Sequence, residues 1–214
     1  KLFKEPLVIP YFNLVEYNNF ESPSFAPRLS SNELTFLICH SAASTLNHQE
    51  AISLIKKYKE LWDVKVNIRG FLSYGGRSNT AVDLLEKTLI KEASFAETVL
   101  FEKTFLDHHE LLEKLKFIDI ALFSCIRDEG VSMLSQLVRL GGVLVFEKSS
   151  INFHYFRAYA RDKTLNYSIF LSTPPQDLMK LRNEEAEDPP VKVEYEELNT
   201  MLFKKHKLIS TFIK

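Results

Sequence analysis

The sequence predicts an α/β fold, a doubly wound parallel sheet of Rossmann-like kind, over residues 32–190. Three observations predict it. Short, nearly continuous apolar runs recur along the chain, as expected of strands covered on both faces. Segments with helical apolar spacing follow them, so strand and helix alternate from residue 34 to about residue 182. The connections have βαβ length, for which right-handed crossovers give parallel neighbours.

The elements follow in order. Residues 34–39 are a continuous apolar run of strand length, and 49–61 follow as a helix with Ile52, Leu54, Ile55 and Leu61 on one stripe. Residues 64–69 alternate and read as the second strand; 81–93 are a helix and 97–101 the third strand. A helix over 107–116 leads through Asp119 to a buried strand over 120–124. The polar turn Arg127-Asp128-Glu129-Gly130 then opens an apolar helix over 131–140, which ends at Gly141-Gly142 before a strand over 143–146. Residues 150–160 are expected as a helix, 167–171 as a sixth strand, and 176–182 as a helix opened by Pro174-Pro175. Residues 1–31 are expected as an irregular lead-in or an interdomain crossover, and 191–214 as a mostly helical tail. Because the chain starts at Lys1, it is read as a fragment whose preceding segment is missing.

Composition narrows the function. With 214 residues, 45% of them apolar, the chain can bury a sizeable core. A net charge of -1 gives no reason to expect a nucleic-acid partner. Cys39 and Cys125 sit in apolar context and read as buried free thiols, which suits a reducing compartment. No apolar run approaches the roughly 20 residues of a membrane span. There is no zinc-ligand spacing, no Gly-x-Ser-x-Gly and no Walker A sequence. A nucleotide-sugar epimerase would need a Gly-x-Gly-x-x-Gly fingerprint, which is absent, although Tyr159 and Lys163 have the Tyr-x-x-x-Lys spacing of such enzymes.

Ligands of open α/β sheets bind at the carboxyl ends of strands, where helix N-termini favour anions. Three loops qualify. The first, 40–48, offers Ser41, Ser44, Asn47 and His48 to phosphate oxygens; its other reading is a plain turn in which Asn47 caps the helix. The second carries Arg69 and Arg77 around Gly75-Gly76, where a guanidinium can grip phosphate at two points; its other reading is a pair of surface arginines. The third is the acidic turn ending in Gly130, whose carboxylates either meet sugar hydroxyls or merely favour the helix N-terminus. His108-His109 point to different faces of a helix and so do not form an i, i+4 metal pair.

The central stretch resembles the donor-binding C-terminal domain of GT-B glycosyltransferases. The likeness rests on Leu111-Leu112, Asp119, Glu129-Gly130, the apolar helix from Met133, Gly141-Gly142 and the strand over 143–146. Many such enzymes carry a second glutamate after seven intervening residues; that position here is Leu137. A closer resemblance is to the TDP-N-acetylfucosamine:lipid II N-acetylfucosaminyltransferase (4-alpha-L-fucosyltransferase) family. It is carried by Ser41, Ser44 and Asn47-His48 in the first loop and by Gly70 and Tyr74-Gly75 in the second. The resemblance implies a bacterial enzyme of polysaccharide biosynthesis with a UDP- or TDP-linked sugar donor and no bound metal or other cofactor. It places the diphosphate near the first loop, Gly130 and Arg69 or Arg77, the base near Lys103, and the sugar near Glu129 and Ser132. It further implies a lipid-linked or glycan acceptor, an acceptor domain outside this chain, and a cytoplasmic protein, peripheral at the inner face of the plasma membrane where the acceptor is lipid-linked. A non-catalytic α/β binding module is the alternative, because fold does not fix function.

Overall fold

A computed structural model describes residues 32–125 and 130–183. The expectations for 1–31, 184–190 and 191–214, and the residues Arg127, Asp128 and Glu129, lie outside the described residues. Six strands, β1 (Glu33–Leu37), β2 (Lys65–Phe71), β3 (Thr98–Glu102), β4 (Ile120–Phe123), β5 (Val143–Phe146) and β6 (Thr164–Asn166), form one sheet. Their spatial order is β3-β2-β1-β4-β5-β6, and every neighbour is parallel. This is the doubly wound order with its switch point between β1 and β4. The predicted fold class is the observed one.

The helices are α1 (His48–Trp62), α2 (Asn79–Glu92), α3 (His108–Leu115), α4 (Val131–Arg139), α5 (Ile151–Tyr159), α6 (Tyr167–Ser172) and α7 (Pro175–Asn183). Right-handed crossovers set α1 and α2 on one face and α3, α4 and α5 on the other; α1 packs beside α2, and α3 beside α4. The strands β4 and β5 are buried at every residue, which is why they read as unbroken apolar runs.

One element departs from expectation. Residues 167–171 are not the sixth strand; they form α6, and the strand is the shorter Thr164–Asn166 before it. Asn166 ends the strand and caps the helix, its Oδ1 accepting from the Ile169 amide at 3.0 Å. Phe170 then turns inward and stacks on Tyr58 of α1 at 4.4 Å between centroids. Tyr58 donates to the Thr173 carbonyl at 2.8 Å and Trp62 to that of Leu171 at 3.1 Å, so α1 clasps α6. Replacing Tyr58→Phe strands the Thr173 carbonyl and is expected to cost about 1 kcal/mol in urea unfolding.

Under the amino ends of the strands lies a buried polar knot. Asp119, immediately before β4, accepts from the Thr35 amide of β1 at 2.8 Å. Its other carboxylate oxygen meets Arg182 Nε of α7 at 3.4 Å, both side chains being almost fully enclosed. Arg182 also donates to the Lys116 carbonyl. Lys163, buried, donates to the carbonyls of Gly141 and Leu181. Lys163 thus works at the end of the sheet opposite the ligand-bearing loops, which removes the Tyr-x-x-x-Lys epimerase reading.

Cys39 and Cys125 are free and buried, as expected. Burial pushes the Cys39 thiol up to about 12, against a weaker downward pull from the Phe71 backbone. In the unfolded chain the thiol loses its proton near pH 8.5; in the folded chain it keeps it. Stability from this group is therefore complete below that pH and is lost as pH rises towards 12, by up to about 1.4 kcal/mol per unit. Urea unfolding at pH 8 and pH 10 is expected to show that loss, and Cys39→Ala to flatten it.

Candidate functional site

The carboxyl ends of β1, β2 and β4 meet at the switch point, and their loops are stitched together by backbone. The Phe71 amide donates to the Cys39 carbonyl at 3.1 Å, and the Ala42 amide to the Tyr74 carbonyl at 2.7 Å. On either side of the Tyr74-Gly75 turn the surface sinks into a cleft.

The larger cleft, about 390 Å³, lies between the β2 loop, the segment leading to α3, and the first turn of α4. His40, Phe71, Ser73, Tyr74, Phe105 and Leu106 form its walls, and Gly130, Val131, Ser132 and Met133 its far side. His40 is the pivot: its ring stacks on Phe123 and tilts against Tyr74, each at 5.7 Å between centroids. Gly130 is the N-cap of α4, with φ +71 and no side chain to cap the helix. A Cβ there would stand 3.0 Å from both His40 Nδ1 and Phe123 Cε2. Glycine is required twice over, by conformation and by space. Gly130 and the first turn of α4 thus line the cleft.

The smaller cleft, about 250 Å³, is lined by Ala42, Ser44, His48, Gly75, Gly76, Arg77, Ala81, Val82 and Leu85. Gly75 has φ +81, and a Cβ on it would press on the Ala43 amide at 3.1 Å. The backbone of the β1 loop can therefore approach the turn. His48, buried, donates from Nε2 to the Ser41 carbonyl at 3.0 Å and so closes the β1 loop on itself. Arg77 is exposed at the mouth, just before α2, and no ion pair holds it among the described residues.

The structure thus gathers Ser44, His48 and Arg77 around one cleft and Gly130 and Ser132 around the other. Ser41 is buried beneath them, its Oγ accepting from the Ala43 amide at 3.3 Å. Asn47 does not cap α1 with its side chain: its backbone is left-handed, φ 46, and its amide instead donates to Glu50 at 2.6 Å. Arg69 lines neither cleft. It lies within β2, its guanidinium over the Phe117 ring at 5.8 Å, because the strand runs two residues past it. Lys103 lines neither cleft and is clasped by α2, at 2.7 Å to Glu86 and 3.0 Å to Asp83. Those two carboxylates, Glu86 foremost, hold its ammonium above the ordinary lysine range. His108 and His109 are exposed at the start of α3. Among the described residues no cluster of three or more His, Cys, Asp or Glu side chains could hold a metal ion.

Sequence reasoning did not single out the cleft-lining side chains of His40, Phe105 and Met133. Position offered one signal, since His40 follows β1 directly at the switch point. Phe105 offered another, because it is a large apolar residue 77% exposed in a loop. Leu137 is enclosed and packs its Cγ against Gly142, where a Cβ would come within 2.4 Å. It faces the core and not the cleft.

No protein-family model and no curated protein matches the sequence. Solved structures do. A trehalose-6-phosphate synthase, OtsA, superposes with a TM-score of 0.50 at 13% identity over 72% of this chain and 39% of that one. The N-terminal domain of Candida albicans trehalose-6-phosphate phosphatase gives 0.48 at 12% over 71% of this chain and 36% of that one. The Escherichia coli trehalose-6-phosphate protein bound with UDP-2-fluoro glucose gives 0.45 at 13%, over 71% and 35%. The chain spans well under half the length of each of these structures. The six-stranded parallel sheet and its flanking helices therefore constitute a Rossmann-like α/β fold, shared with the trehalose-6-phosphate synthase structure.

Proposed function

We propose that this chain is the nucleotide-sugar-binding part of a glycosyltransferase of GT-B type. The observation that carries the reading is the switch-point site. Gly130 and the first turn of α4 line one cleft, and the uncommitted Arg77 guanidinium stands at the mouth of the adjoining one. A diphosphate suits a helix start and such a guanidinium, neither of which requires a metal. The aromatic wall of His40, Tyr74 and Phe105 suits a ring. Glycosyl transfer would then be driven by stabilising the charge on the departing diphosphate, the term that dominates many such reactions. The resemblance to the fucosyltransferase family favours a TDP-linked donor and a lipid-linked or glycan acceptor, with the acceptor groups supplied from outside the described residues. A cytoplasmic setting, with or without peripheral contact to a membrane, follows from that reading.

One observation favours the non-catalytic alternative. The larger cleft has no carboxylate among its described lining, and Leu137 sits where many GT-B enzymes carry a glutamate. Thermal-shift titration with UDP, TDP and GDP decides between them. A ligand at a hundred times its Kd stabilises by about 2.7 kcal/mol. UDP or TDP is expected to protect, and Arg77→Ala to weaken that binding about tenfold without lowering the unliganded Tm. A folded protein that none of the three protects would overturn the donor-site reading.

A further inference from the structure

The sheet ends in two unlike edges. At one, β6 is three residues long, Thr164 and Leu165 are buried, and the chain turns at once into α6. Short, covered edges of this kind keep a sheet from pairing with another chain. At the other, β3 has five residues, Thr98-Val99-Leu100-Phe101-Glu102, with no proline and no charge before its last position. Among the described residues no strand lies beyond it. Leu100 is 55% exposed there. An uncovered apolar edge strand is a template for another strand.

The strand that fits is a second copy of β3 itself. The Leu72 amide donates to the Glu102 carbonyl at 2.7 Å, so Glu102 turns its backbone towards β2. Alternation along the strand then turns the backbone groups of Val99 and Phe101 to the free side. An antiparallel β3 related by a twofold axis at Leu100 sets Val99 opposite Phe101 of the other copy, the pair that exchanges hydrogen bonds in both directions. Leu100 meets its own copy. The same register puts Glu97 opposite Lys103 of the other copy, once on each side of the axis. Both side chains are exposed. Both also leave the sheet on the face of α1 and α2, where Glu97 meets Lys59 and Lys103 meets Asp83 and Glu86. Sliding the register to the next hydrogen-bonding match sets Glu97 against Phe101, or Lys103 against Val99, and loses the charge match.

We propose that the chain forms a twofold dimer in which β3 pairs antiparallel with β3 of a second copy, centred on Leu100, joining two six-stranded sheets into one. No β3 residue lines either cleft, and the proposal is independent of the nucleotide-sugar reading. Sedimentation of the full chain is expected to show reversible dimers at about 0.1 mM, in keeping with a small interface. A chain that stays monomeric there would overturn the proposal. Glu97→Lys and Lys103→Glu each set like charges opposite one another, and each is expected to weaken self-association about tenfold. Mixed together, the two variants place opposite charges across the axis on both sides, so they are expected to pair with each other more tightly than either pairs with itself. Mixing alters the fold of neither chain, so a mixture no better associated than its components would overturn the register. Leu100→Cys gives a second reading. Directly opposed residues without hydrogen bonds lie about 4.5 Å apart at Cα, within disulfide reach. The two native thiols are buried. Mild oxidation is therefore expected to link two chains through the introduced thiols, and absence of that link would overturn the twofold at Leu100.

Discussion

Arg182→Ala is expected to destabilise the protein by about 3–5 kcal/mol, because it leaves the Asp119 carboxylate enclosed and uncompensated. The loss should exceed that from any surface pair, such as Lys180 with Asp177, whose removal is worth about 0.3–0.5 kcal/mol. Asp119 touches three elements at once: it precedes β4, receives the Thr35 amide of β1 and pairs with α7. Arg182→Met should cost less than Arg182→Ala, since it keeps the volume, but it still strands the carboxylate. Asp119→Asn/Arg182→Met, which removes both charges, is expected to recover part of the loss. Chemical denaturation of the three variants measures this directly. A double variant no better than the single would show that the pair contributes geometry and not charge balance.

Gly130→Val is expected to abolish nucleotide protection and to cost about 2–5 kcal/mol. The left-handed backbone alone costs a non-glycine residue about 1–2 kcal/mol, and a branched side chain 3.0 Å from His40 and Phe123 adds overpacking of about 1–3 kcal/mol. Gly130→Ala should retain part of the fold's stability while still displacing His40, so binding should fall more steeply than Tm. Thermal shift with and without UDP separates the two effects. Undiminished protection in Gly130→Ala would mean that the ligand does not approach the first turn of α4.

Four of the five strands that the sequence revealed, β1, β2, β4 and β5, share one physical cause. Each is buried on both faces or nearly so, which favours apolar residues bounded by polar turns, whereas β3 is a half-exposed edge strand with Thr98 and Leu100 turned outward. The sixth misled because Tyr167-Ser168-Ile169-Phe170-Leu171 has strand-like residues but lies behind Asn166, whose side chain starts a helix. A six-residue helix held by Tyr58 and Trp62 owes its state to tertiary contacts more than to propensity. Asn47 misled in the same way, its left-handed backbone sending its amide to Glu50. Of the candidate site, the glycines were legible because glycine marks backbone that other residues cannot adopt. The pairing of Lys103 with α2 and the sidelining of Arg69 were not, since both depend on where a neighbouring element places its side chains.

The two halves of the sheet meet along a short seam. β1 pairs with β4 only at Phe36 and Leu37, whereas it pairs with β2 along its whole length. The contact that reinforces this seam, from Thr35 to Asp119, closes a loop of 84 residues. Long-range closures of this kind are slow to form and contribute their stability late in folding. The larger cleft, which spans the seam from His40 to Gly130, therefore has no walls until the halves have joined. Anything bound there stabilises the joined halves, so occupancy of the cleft and the integrity of the seam are linked.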